Sequence, residues 1–133
     1  MNRPRPIPPY PDLVRRPSGP FGWLDAHLLH EDWLVKAGPE ATAVLVLLAL
    51  AADRYGASFF SRDRMARALG LERRKIDRAL ARLVELGLVA HRPWRPDLVD
   101  GVWQLLPVPR RKPVSGPGPV AIREVISSLG YEA

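Results

Sequence analysis

Two glycines, Gly70 and Gly87, do most to limit how this chain can fold. Each follows a stretch of helical periodicity, and each permits the left-handed backbone on which a helix stops. The pattern predicts one helix over residues 61–69, opening on Ser61 as N-cap, and a second over about 72–86. In the second, Ile76, Ala79, Leu80 and Leu83 fall on one stripe. At about 100° per residue, Arg74, Lys75, Arg78 and Arg82 fall on the other side. One face can therefore pack while the other carries four cations into solvent.

Two helices around a short Gly turn, the second basic and outward-facing, follow helix-turn-helix logic. The stretch resembles the winged helix-turn-helix family. The resemblance rests on Met65-Ala66, Leu69-Gly70-Leu71, Ile76, Leu80, Leu83 and the exit Leu86-Gly87-Leu88-Val89. It covers roughly residues 39–108. It implies a mainly α fold with a small β-hairpin wing after the recognition helix, and duplex DNA as partner. In one position the chain departs from the family, which usually has Ser or Thr at the start of the second helix. Here it is Glu72, whose carboxylate suits the helix dipole but would sit near DNA phosphates. A looser resemblance links Gly22, Trp23, Leu24, Leu28 and Leu29 to the opening domain of plasmid and phage replication initiators. Those proteins usually carry a second domain, so this likeness implies a shortened relative.

The charge is consistent with a polyanionic partner. Over 133 residues the net charge is +6 and the pI about 10.5. Residues 61–82 hold eight Arg or Lys against three Asp or Glu, a local balance of +5, whereas residues 21–60 come to −3. The positive field thus belongs to the helix pair; the alternative is a merely solvated Arg-rich surface. Hydrophobic residues make up 47%, enough for a modest core. With no cysteine, disulfides and thiolate metal sites are excluded. The opening residues lack the apolar run of a signal peptide. The longest apolar run, 41–52, is shorter than the roughly 20 residues a bilayer span needs. A cytoplasmic, nucleoid-associated location is expected.

Along the chain, residues 1–20 contain seven prolines and four arginines and predict an extended arm, either laid along DNA or a partner, or a disordered leader. The folded domain is expected over 21–108. Within 21–37 the spacings of Leu24 with Leu28 and of Leu29 with Trp33 predict an extra N-terminal helix. His27, His30 and Glu31 offer too few strong ligands for a metal site, so none is expected. Gly38-Pro39-Glu40 starts a helix over 40–55 that is apolar nearly all round. The 21–37 segment, a C-terminal helix or a second subunit must cover it, which leaves monomer and homodimer both open. Residues 57–60 predict a short strand, and 88–92 with 101–108 a hairpin whose tip is Pro93-Trp94-Arg95-Pro96-Asp97. A Pro/Gly linker with three cations follows over 109–119. Residues 120–133 hold a short C-terminal helix with Ile122, Val125, Ile126 and Leu129 on one stripe. Its docking target is this domain, a twofold mate or another protein.

No P-loop, GxGxxG, GxSxG or HExxH motif is present, and no nucleophile with its base can be named. The chain is therefore expected to be a binder, not an enzyme, with no catalytic residue and no cofactor. Asp77, close in sequence to Arg73, Arg74 and Arg78, is expected in a helix-face ion pair. Arg62, Arg64, Arg67 and Arg82 are the candidate phosphate contacts, and Arg73, Arg74, Lys75 and Arg78 the candidate groove contacts. Arg92 and Arg95 are candidates from the wing, opposed there by Asp97 and Asp100. A transcriptional regulator is the first expectation. The alternatives are a replication-initiation accessory protein of a mobile element and a winged helix used only for protein contact.

Overall fold

The computed structural model describes residues 5–93 and 100–109. Residues 1–4, Trp94, Arg95, Asp97, most of the 109–119 linker and the expected C-terminal helix lie outside them.

The helices run α1 (His27–His30), α2 (Trp33–Ala37), α3 (Pro39–Ala51), α4 (Arg62–Leu69) and α5 (Arg73–Glu85). The strands are β1 (Ala57–Ser58), β2 (Val89–Arg92) and β3 (Val102–Leu105). They form an antiparallel sheet in the order β1-β3-β2. Ser58 pairs with Trp103 on one side of β3, and His91 pairs with Trp103 on the other. The strand expected at 57–60 is therefore present as two residues, and it closes the hairpin from the far side.

α3 is the central pillar. Pro39 sits in its first turn, where the missing N–H costs nothing, and Glu40 faces the positive end of the dipole. Val44, Leu45 and Leu48 are fully enclosed, packed among Met65, Ile76 and Leu83 from α4 and α5. The sheet and α2 cover further sides. What the described chain leaves open on this helix is a stripe through Val46 and Leu50.

Two helix expectations need correction. The helix predicted over 40–55 stops at Ala51, and Ala52 is extended. The Asp53 carboxylate accepts the backbone N–H groups of Tyr55 (2.8 Å) and Ala57 (3.0 Å). This local alternative to the helical ladder turns the chain into β1. The single helix predicted within 21–37 is two short ones, broken where Asp32 adopts a left-handed backbone (φ 64°). Leu24 lies before the first of them. Gly22 crosses the end of α3 so closely that a Cβ there would collide with the Ala49 carbonyl.

Candidate nucleic-acid interface

The α4–turn–α5 unit is held by local bonds that its sequence supplies. The Ser61 hydroxyl accepts the Arg64 backbone N–H (3.2 Å), capping α4. Gly70 takes a left-handed backbone (φ 66°), and the Leu71 N–H closes back to the Ala66 carbonyl (3.1 Å). α5 ends in paired bonds from Gly87 N–H to the Val84 carbonyl and from Leu88 N–H to the Leu83 carbonyl (both 3.0 Å). This is the Schellman pattern, with Leu88 buried behind it. Glu72 occupies the N-cap of α5 without a side-chain capping bond. Ile76, Ala79, Leu80 and Leu83 are all buried, so the rotation of α5 is fixed from behind.

That rotation sorts the expected cations into two groups. Arg62, expected to contact phosphate, is instead held within the protein. Its Nη1 donates to Asp100 Oδ1 (2.9 Å), and its backbone N–H reaches the same oxygen (3.2 Å). Its Nε lies 3.4 Å from Asp77 Oδ1, and its guanidinium covers the Trp103 ring at 4.9 Å. Only 23% of the side chain is exposed. Arg73 bridges Asp63 (2.8 Å) and Asp77 (3.1 Å). The hydrogen bonds it donates to Asp77, then to Asp63, hold its guanidinium protonated above the ordinary arginine range. Arg82 donates from Nε to the Lys36 carbonyl (3.0 Å) and from Nη1 to Glu85 (2.8 Å), tying α5 to α2. Lys75 faces Glu40 at 3.8 Å.

The other group is Arg64, Arg67, Arg74, Arg78 and Arg92. All five are exposed, and none makes an ion pair among the described residues. Arg64 lies over the Phe60 ring at 4.2 Å. Arg74 and Arg78 stand one turn apart in the first half of α5. Residues 38–89 match the family model described as a helix-turn-helix domain. This part of the chain is a helix-turn-helix domain. No curated protein and no solved structure gives a match.

In the helix-turn-helix domain α4 is the first helix and α5 the second, and the β2–β3 hairpin beside them gives the winged form. The architecture suggests DNA as the partner. The unpaired arginines of α5 lie toward its N-terminal end, the part of a recognition helix that meets base edges.

Asp100, expected only to repel DNA, has a structural part: it caps the start of α4 and neutralises Arg62. His91 stacks on Trp103 with ring centroids 4.0 Å apart, and its Nε2 meets the Asp100 carbonyl at 2.5 Å. The Arg62–Asp100 pair was hidden in the sequence because its members are 38 residues apart. The Arg73–Asp77 pair, four apart on one helix, was legible from spacing. In the segment around α1, His27 Nδ1 meets Asp25 Oδ1 at 2.6 Å and its Nε2 lies 3.9 Å from Glu31. Among the described residues no group of three or more His, Cys, Asp or Glu is spaced to hold a metal ion. Nor, among them, is any helix long and apolar enough to cross a membrane.

Proposed function

We propose that this protein is a duplex-DNA-binding transcriptional regulator that places α5 in the major groove. The observation that carries the reading is the pair Arg74 and Arg78. They are exposed and unpaired among the described residues, on a helix whose other face is locked into the core. Two guanidinium groups one turn apart can each take a guanine edge in bidentate fashion. Arg64 and Arg67 on α4, and Arg92 on the hairpin, supply phosphate contacts that orient the domain without reading sequence. The protein acts by binding and carries no catalytic step.

A second reading is replication initiation on a mobile element. It is favoured by the close crossing of Gly22 over α3, the segment that resembles the opening domain of initiators. The two readings share the DNA face and differ in target. Selection from a random duplex library tests both. One or two half-sites of a few base pairs, rich in G·C at the positions read by Arg74 and Arg78, are expected. Recovery of a palindrome supports a dimeric regulator, and tandem repeats support initiation. Recovery of no enriched sequence, with no salt-dependent retention on DNA, contradicts both and leaves protein contact as the use of the fold.

A further inference from the structure

The segment before α1, the end of α3 and the chain leaving β3 enclose a groove of about 600 Å³. Its walls are apolar, formed by Phe21, Trp23, Leu24, Tyr55, Leu106 and Val108. Several of these are too exposed for a finished surface: Trp23 is 76% exposed and Tyr55 69%. A contiguous apolar surface of this kind marks a binding site. We propose that the groove is the docking site of this chain's own segment 120–129.

Three observations select that occupant. First, the described chain ends at Pro109, next to Val108 in the groove wall. About ten residues separate that point from the segment. Ten residues can reach at most about 35 Å when fully extended, enough to bring the segment to the groove. Second, Ile122, Val125, Ile126 and Leu129 follow the i, i+3, i+4, i+7 spacing with which an amphipathic helix enters an apolar groove. Third, the charges are compatible. The rim carries Asp53 and Arg54, and the segment carries Arg123 and Glu124 beside its stripe.

Tethering decides between this segment and a second molecule. A short flexible linker gives an effective concentration in the millimolar range. A contact with a dissociation constant near ~0.1 mM would then be closed about nine-tenths of the time within one chain. Between separate chains at micromolar concentration it would be almost wholly open. Four apolar side chains on a short segment suit the tethered case. The docked segment would cover the aromatic residues of the groove and leave Arg74 and Arg78 untouched, so the inference does not depend on DNA binding.

Hydrogen exchange on the full chain tests this, at about 1 and about 100 µM, with Ile126→Asp and Leu24→Asp as variants. The core of the described domain is built from residues 28–108, so the Ile126 variant should keep the wild-type thermal transition of the domain. The proposal predicts amides of 120–129 exchanging about tenfold slower than in Ile126→Asp, equally at both concentrations. Residues 21–28 should lose protection in Ile126→Asp, and 120–129 should lose it in Leu24→Asp. Equal exchange of 120–129 in wild type and Ile126→Asp would overturn the proposal. Protection that fades on dilution would assign the groove to a second copy and overturn it as well. Protection that survives Leu24→Asp would place the segment elsewhere, with the same consequence.

Discussion

Arg62 and Arg78 have the same side chain, carry the same formal charge and lie in the same basic stretch, yet their surroundings give them different work. Arg62 spends its guanidinium on Asp100, Asp77 and the Trp103 ring, whereas Arg78 is exposed with no ion pair among the described residues. Arg78→Ala should therefore leave the thermal transition unchanged and weaken binding to the selected site by about 1–3 kcal/mol, relaxing preference at one base pair. Arg62→Ala should do the reverse. It takes the guanidinium from Asp100, the cap of α4, and uncovers the Trp103 ring, and should destabilise the fold by about 1–3 kcal/mol. Thermal melting of the two variants beside titrations on specific and scrambled duplexes checks the contrast. A large binding loss in Arg62→Ala with an unchanged melting temperature would contradict it.

At the level of elements, the sequence was legible wherever the deciding interaction is local. The Ser61 cap, the Gly70 and Gly87 stops and the buried stripe of α5 follow from residues within a few positions of each other, and the structure has them all. Legibility failed where a side chain competes with the backbone or reaches across the fold. Asp53 ended α3 early by taking two backbone N–H groups, a choice that helical periodicity does not register. Asp32 broke an apparently continuous amphipathic stretch with a left-handed residue. Arg82 looked like part of the outward basic face, yet bonds a carbonyl 46 residues away. The result is a narrower free face on α5 than its four cations implied. The crossing of Gly22 over α3 also needed three dimensions. A Cβ there would lie 2.7 Å from the Ala49 carbonyl carbon as well as against its oxygen, and both belong to backbone that cannot swing aside. Gly22→Ala should push the 21–25 segment off α3 and cost about 1–3 kcal/mol. Thermal melting measures the cost, and increased exchange confined to residues 21–28 would locate it. A wild-type melting temperature would show that the crossing is loose.

At the scale of the whole molecule, the apolar groove among the described residues takes no lining residue from α4 or α5. Arg64, Arg67, Arg74 and Arg78, exposed and without an ion pair among the described residues, lie on α4 and α5, while the apolar groove lies against the C-terminal end of α3. Four of the eight cations of residues 61–82, Arg62, Arg73, Lys75 and Arg82, already face carboxylates of the described chain. Affinity for DNA should therefore depend on a few cations, and its salt dependence should be modest compared with the total charge. The most direct measurement is the slope of log binding constant against log salt on duplex DNA, for the wild type and for Arg74→Ala/Arg78→Ala. The wild type should fall linearly with a slope of roughly −3 to −5, as about four or five unpaired arginines displace counterions. The double variant should keep the wild-type melting temperature but lose discrimination between the selected site and scrambled DNA. A wild-type constant that does not change with salt, or a double variant that still discriminates as the wild type does, would contradict the account.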